Sequence, residues 1–239
     1  MTQKVFISGI AGFLGSHLAD CFSERGWRVC GIDNLFGGSE RNVPAGAKYT
    51  SELMVENLFS RYGGGYAVAV PHSVIGPRQR YSDPYRNVAA IMINRMLRGK
   101  QPIIYGDGSQ LRGFSFVGDV VVCLERMGKE PAAEGQIINV GPDEETTSVL
   151  QLAAEIADIM SFRLDPIFVP ARPMEVKLAT CSADKARKLL GYQTSTPLRD
   201  GLTQMVEWMA AAEPMEFSYD IEIEIPSAGI PQTWVKRLI

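Results

Sequence analysis

Lys4-Val5-Phe6-Ile7-Ser8-Gly9-Ile10-Ala11-Gly12-Phe13-Leu14-Gly15-Ser16-His17-Leu18 is the stretch on which the fold turns. It opens with a short apolar, β-prone run, and glycines then recur at every third position. From Leu14 onward the apolar side chains Leu18, Cys21 and Phe22 fall at helical spacing. Strand, tight turn and helix therefore follow one another. Gly26 stands where a helix-ending C′ glycine belongs, and Arg28-Val29-Cys30-Gly31-Ile32 reads as a second strand ending at Asp33. Together these residues make one βαβ unit.

Outward from this unit the same two periods alternate. Residues 35–48, with Gly37, Gly38, Pro44 and Gly46, are loop-like, and Glu52 to Tyr62 is an amphipathic helix offering Leu53, Val55, Leu58, Phe59 and Tyr62 for burial. Tyr66 to Val70 is a strand that runs into Pro71-His72-Ser73. A helix from about Asn87 to Arg98 carries Val88, Ile91, Met92 and Met96 on one face. Residues 102–116 read as a strand, the turn Gly106-Asp107-Gly108 and a second strand. A helix is expected from Asp119 to Met127, with strands at Gln136 to Val140 and Ile167 to Val169. Ser148 caps a helix that ends near Met160, Gly191 stops one over Ala183 to Leu190, and a last helix spans Leu198 to Ala212. This alternation predicts an α/β fold, a doubly wound parallel sheet with a smaller, discontinuous C-terminal lobe.

Composition narrows the function. The 239 residues are 46% hydrophobic and 21% charged, as in ordinary globular proteins. A net charge of −3, without any Lys/Arg cluster interleaved with aromatics, argues against nucleic acid as a partner. Met1-Thr2-Gln3-Lys4 lacks the apolar region and cleavage site of a secretory leader, and no run approaches the ~18 apolar residues of a membrane span. Cys21, Cys30, Cys123 and Cys181 are scattered without metal-ligand spacing, so they are expected to be reduced core thiols of a cytoplasmic protein that holds no metal.

The glycine-spaced turn carries chemistry as well as shape. A pyrophosphate needs backbone N–H groups at close range and a helix N-terminus aimed at it, and side chains in the turn would block that approach. Gly9, Gly12 and Gly15 meet this need between a strand and a helix. Asp33, at the end of the next strand, can accept hydrogen bonds from ribose hydroxyls and would repel a 2′-phosphate, which favours NAD over NADP. Asn34 either bonds the adenosine end or caps a turn. His17, next to Gly15, is expected to pack or cap.

The segments Gly9 to Gly15, Ile32-Asp33-Asn34-Leu35 and Gly37 to Asn42 resemble the N-terminal fingerprint of the extended short-chain dehydrogenases/reductases. Farther along, Ile75-Gly76-Pro77-Arg78-Gln79, Ile104 to Arg112, Asn139-Val140-Gly141, Arg172-Pro173-Met174-Glu175-Val176 and Asp184-Lys185-Ala186 are similar, in the same order, to that family's nucleotide-sugar epimerases and dehydratases. The resemblance implies NAD held by Gly9, Gly12, Phe13, Leu14, Gly15, Asp33, Asn34 and Pro71. It implies a nucleotide sugar, a UDP-hexose or UDP-N-acetylhexosamine, met by His72, Ser73, Asn87, Ile104, Tyr105, Arg112, Arg172 and Glu175. In that scheme Ile104 and Tyr105 lie beside the base, Arg112 and Arg172 reach the diphosphate, and Glu175 meets the ribose. A guanidinium fork fits two phosphate oxygens better than an ammonium does. Ser73 stands where the family usually has asparagine. The division implied is 1–75 with 117–142 as the NAD-binding core and 76–116 with 143–239 as the nucleotide-sugar lobe; a homodimer is also implied.

One part of the resemblance is missing. The family's reaction, transient hydride transfer on a sugar carbon, needs a tyrosine acid/base, a lysine four residues later and an upstream serine or threonine. No Tyr-x-x-x-Lys occurs in the chain. Lys48-Tyr49-Thr50-Ser51-Glu52 resembles the Lys-x-x-x-Glu that follows the tyrosine, which makes Lys48 the possible catalytic lysine and puts Pro44 in the tyrosine's place. The alternative is that residues 42–50 lead into the family's third strand. On either alignment about 90 residues, three βα units at roughly 30 each, are absent near residues 44–51. The chain carries an internal deletion, natural or engineered, or the sequence lacks residues that the protein has. If the deletion is real, the strand at 66–70 is expected to pair directly beside the strand at 4–8, through a right-handed crossover over helix 52–62.

Overall fold

The structure is a computed structural model, and it describes residues 3–8, 10, 12–32, 45–85, 87–172, 175–219 and 232–239. Chain contacts divide it into two units. The first comprises Met1–His72, Val117–Gly141 and Cys181–Ser195, the second Ser73–Phe116, Pro142–Thr180 and Thr196–Ile239. Residues 181–195 thus pack with the first unit rather than with the lobe to which 143–239 was assigned. The cause is visible in their bonds: Lys185 Nζ donates to the Ile137 carbonyl at 3.1 Å, and Arg126 donates to the carbonyls of Leu190 and Gly191 at 2.7 and 3.0 Å.

In the first unit β1 (Lys4–Ser8), α1 (Phe13–Glu24) and β2 (Arg28–Ile32) form the expected βαβ element, with β1 and β2 parallel and Val5 opposite Val29. Gly31 has a structural reason. A Cβ there would fall 2.5 Å from the Ile7 carbonyl oxygen and 2.6 Å from Ile10 Cδ1, so only glycine lets β2 pass under the turn. α2 (Ala45–Tyr62) begins well before the expected Glu52, so residues 45–48 are helical rather than loop. Lys48 therefore lies on α2.

β3 (Val68–Pro71) does not pair with β1. It is hydrogen-bonded in parallel to β8 (Ile137–Val140), while β1 pairs with β2. The expected β1–β3 ladder is overturned. α4 (Val117–Met127) lies against α1, and the buried Glu125 carboxylate is shared by Arg25, the C-cap of α1, at 3.2 Å, and by Lys129. Between the two ladders runs an open groove of about 670 Å³ with Val5, Phe6 and Ile7 on one wall and Tyr66, Ala67 and Ala69 on the other. Phe6 is 67% exposed there. α6 (Asp184–Leu190) completes the unit and ends on Gly191 at φ 60°, the left-handed conformation expected of that stop.

The second unit is built on three helices, α3 (Val88–Leu97), α5 (Val149–Ile159) and α7 (Leu198–Ala211). Their apolar faces meet through Met92, Ile93, Leu152, Ile156, Leu202 and Met205, all essentially inaccessible to solvent. Each such burial contributes about 1.5–3 kcal/mol. Ser148 caps α5 as the sequence suggests, in a full capping box with Gln151. Short strands ring this core. β4 (Val74–Ile75) pairs with β7 (Ser115–Phe116), and β5 (Ile103–Tyr105) with β10 (Ile167–Val169), both in parallel. β6 (Leu111–Arg112) lies between parallel β11 (Leu178–Ala179) and antiparallel β9 (Thr147–Ser148). A short helix, α8 (Gln232–Val235), returns late in the chain. Predominantly parallel pairing agrees with the expected α/β class. Cys21 and Cys123 are buried, but Cys30 is exposed and Cys181 partly so, so only two of the four thiols lie in the core. Among the described residues no helix is long and apolar enough to cross a membrane.

Candidate functional site

In the second unit β5, β6 and the start of α3 converge on a cavity of about 200 Å³, whose lining includes Asn87, Tyr105, Arg112, Arg172, Glu175 and Ile239. Five of these are residues the sequence had singled out, drawn together from positions up to 88 apart. Arg112 lies on β6, and β6 is held in register by its ladder to β11 and β9, so the guanidinium has a fixed root. It donates through Nη2 to Glu175 Oε1 at 2.6 Å and through Nη1 to the Leu111 carbonyl at 2.8 Å. Arg172 Nε stands 3.9 Å from Glu175 Oε2. One carboxylate thus lies between two guanidinium groups, and these three side chains leave a surplus of one positive charge facing the cavity.

Tyr105 closes β5, and its ring lies under Arg172, with the guanidinium carbon 4.2 Å from the ring centroid. Gln110 donates to the Tyr105 carbonyl at 3.2 Å. Asn87 has φ 53° and caps α3: its side-chain oxygen accepts from Ala90 N–H, and its amide donates to the Val74 carbonyl at 2.9 Å and to Gln79 Oε1 at 3.1 Å. Its polar groups are committed to the scaffold, so Asn87 shapes the wall of the cavity. Ile104, expected beside the base, is instead fully buried within the apolar core. Neighbours on a strand point to opposite faces, so with Tyr105 at the cavity Ile104 must face inward.

Two residues went unmarked in the sequence. Thr233 is hydrogen-bonded through Oγ1 to the Tyr105 hydroxyl, and the Trp234 ring stands 5.1 Å from the Arg172 guanidinium carbon. No periodicity or motif surrounds them, so nothing short of through-space packing could have found them.

The β1–α1 turn is described only at Ile10 and Gly12. Gly12 is the exposed N-cap of α1 at φ −75° and ψ 175°, and among the described residues no side chain caps the helix. Gly9, Asp33 and Asn34 lie outside the described residues. His17 packs edge-on to Phe13 with centroids 5.9 Å apart, in line with a packing role. Pro71 ends β3, and His72 N–H extends that ladder by donating to the Val140 carbonyl at 2.9 Å. Ser73 has φ 39° and its carbonyl accepts from Ser115. Lys48 is on α2, and its side chain is not described. Among the described residues no group of three or more His, Cys, Asp or Glu could hold a metal ion.

Comparison with known proteins gives these features a context. The model of the NAD dependent epimerase/dehydratase family matches residues 40–141. UDP-glucose 4-epimerase of Mycolicibacterium smegmatis is 34% identical over 192 residues, 72% of this chain and 59% of its own, so the chain spans about three-fifths of that relative. UDP-N-acetyl-alpha-D-glucosaminuronate decarboxylase of Bacillus cytotoxicus aligns over 322 residues at 25% identity, covering 89% of this chain and 99% of the relative. An alignment of 322 positions cannot be filled by 239 residues, so at least 83 of them have no counterpart here. The crystal structure of Thermotoga maritima UDP-glucose 4-epimerase with UDP-glucose superposes with a TM-score of 0.78 at 22% identity, over 88% of this chain and 99% of that one. That likeness shows the fold, and with it the Rossmann class.

Proposed function

We propose that this chain, whose residues 40–141 match the NAD dependent epimerase/dehydratase family, binds a nucleotide-activated sugar, a UDP-hexose first of all, in the cavity of its second unit. The observation that carries this is the Arg112–Glu175–Arg172 cluster beside Tyr105. Two guanidinium forks suit a diphosphate, an aromatic ring suits a base, and a carboxylate suits ribose hydroxyls. Glu175 holds Arg112 in place before ligand arrives. A guanidinium has five donors, so the two bonds to Glu175 and Leu111 do not exhaust Arg112.

NAD is the cofactor in the same proposal, with its pyrophosphate at the uncapped N-terminus of α1 and Pro71 beside its nicotinamide end. When bound, it supplies a hydride acceptor and donor for a sugar carbon. The residues of this chain do the rest: Gly12 keeps the turn clear, Asp33 and Asn34 receive the adenosine ribose, and His72 and Ser73 approach the sugar. The proton that must leave the sugar hydroxyl is the weak point. No Tyr-x-x-x-Lys occurs in the chain, and general acid/base catalysis is typically worth ~10²–10⁴-fold. Binding with turnover at or near background is therefore the expected behaviour of these 239 residues.

Titration calorimetry with UDP-glucose and with NAD, followed by chromatographic separation of sugar epimers, tests both halves. Binding without new epimer supports the proposal. Absence of UDP-glucose binding overturns it, and brisk turnover overturns its second half and makes His72→Ala the next variant to assay. A homodimer through α2 belongs to the same proposal, because Leu53, Leu58 and Tyr62 are exposed on that helix. A monomer in analytical ultracentrifugation at micromolar concentration would remove it.

A further inference from the structure

We propose that Trp234 is a positioning residue of the nucleotide cavity: with Tyr105 it clamps the Arg172 guanidinium between two rings and so fixes how Arg172 meets a diphosphate. The inference rests on the nucleotide-sugar assignment of the cavity and extends it to a segment that carries none of the family's motifs.

The guanidinium carbon of Arg172 is 4.2 Å from the Tyr105 centroid and 5.1 Å from that of Trp234, both within cation–π range. Both rings lie against the guanidinium, whose N–H rim is the part that takes a phosphate. Glu175 lies against that rim at 3.9 Å, too long for a hydrogen bond, and Arg172 Nε is buried without a hydrogen-bond partner among the described residues.

Trp234 is itself held firmly. Its ring meets Tyr85 edge-on with centroids 5.5 Å apart, and Tyr85 in turn meets Tyr219 at 6.0 Å. Thr233, only 1% exposed, bonds to the Tyr105 hydroxyl and accepts from Leu238 N–H at 2.9 Å. Arg95 of α3 donates to the Leu238 carbonyl, and the Tyr219 hydroxyl donates to the Ile239 carbonyl at 2.7 Å. Residues 232–239 are therefore anchored to the helical core at several points, and Ile239 lines the cavity directly. A side chain ordered before binding loses less rotamer freedom on binding, so the clamp raises affinity for the diphosphate in particular.

The test uses the whole chain and two probes, UDP and uridine, in calorimetry at one fixed ionic strength. Trp234→Leu keeps bulk but removes the π face, Trp234→Phe keeps a π face, and Arg172→Lys removes the fork. Expected results are roughly tenfold weaker UDP binding for Trp234→Leu, with Trp234→Phe near wild type. Uridine affinity should stay the same in both, and the Trp234→Leu/Arg172→Lys double variant should bind UDP no worse than Arg172→Lys alone. Wild-type protein that fails to bind UDP overturns the cavity assignment, and the inference falls with it. If wild type binds UDP, the inference alone is overturned by equal affinities in the Leu and Phe variants, by equal loss of UDP and uridine, or by additive effects in the double variant.

Discussion

Replacing Arg112 with Gln removes the charge and the fork while keeping a side chain that can hydrogen-bond. In the structure the Arg112 and Glu175 side chains are 17% and 23% exposed, joined by one bond of 2.6 Å. Losing that bond leaves Glu175 with Arg172 at 3.9 Å, so we expect a modest stability cost of ~1 kcal/mol. Ligand binding should suffer more. A hydrogen bond to a charged group is worth about 1.5–3 kcal/mol, which at 1.4 kcal/mol per decade means roughly ten- to hundredfold weaker UDP binding. Arg112→Lys should fall between, since an ammonium keeps the charge but cannot present two parallel N–H groups. Calorimetry with UDP and uridine at about 0.15 M salt, a regime where surface electrostatics are largely screened, reads the effect, and a urea melt reads the stability term separately. Arg112→Gln binding UDP within twofold of wild type, in a folded protein, would refute the diphosphate role.

Gly12→Val should abolish NAD binding without unfolding the protein, because φ −75° suits any residue and Gly12 is exposed, while a branched side chain would stand against the pyrophosphate; Asp33→Ala should weaken NAD less, and equilibrium dialysis ranks the two. Phe6→Ser should cost no more than about 0.5 kcal/mol in urea unfolding, as at other surface positions, because Phe6 is 67% exposed in the groove; a loss of the ~3–5 kcal/mol typical of a core phenylalanine would mean that the groove is filled in solution. Burial pushes the Cys123 thiol from 9.0 up to about 11, against the opposing charge of Arg126. The folded state thus favours the protonated thiol, so this contribution to stability is present below pH 9 and is lost as pH rises from 9 to about 11. Thermal melts should fall more steeply across that window for wild type than for Cys123→Ala, and exposed Cys30 should react with a thiol reagent at pH 8 long before Cys123. Inserting into the junction the segment that the B. cytotoxicus relative has and this chain lacks should raise turnover well above background, and a full-length hybrid that binds NAD and UDP-glucose yet stays inactive would count against the missing tyrosine as the cause.

Much of the local architecture was legible in the residues alone. The βαβ opening, the capping box at Ser148 and the left-handed stop at Gly191 all appear where the pattern puts them, because caps and periodicity act over a few neighbouring residues. The cavity was legible in part: the arginines, Glu175 and Tyr105 do meet, whereas Ile104 turns into the core and Asn87 commits its side-chain oxygen to a helix cap and its side-chain NH2 to the Val74 carbonyl.

What the residues by themselves determined is therefore short-range: the element types, the glycine turn, the cationic side chains suited to a diphosphate, and the absence of any Tyr-x-x-x-Lys. Tertiary structure alone decided the long-range choices. It pairs β3 with β8 rather than with β1, and it packs α1 against α4. It also seats Trp234 against Arg172, 62 positions away, because anchoring bonds at Thr233, Leu238 and Ile239 bring that segment back over the core. Contacts of that kind depend on which surfaces remain to be covered once the helices have packed, and no local run of sequence carries that information.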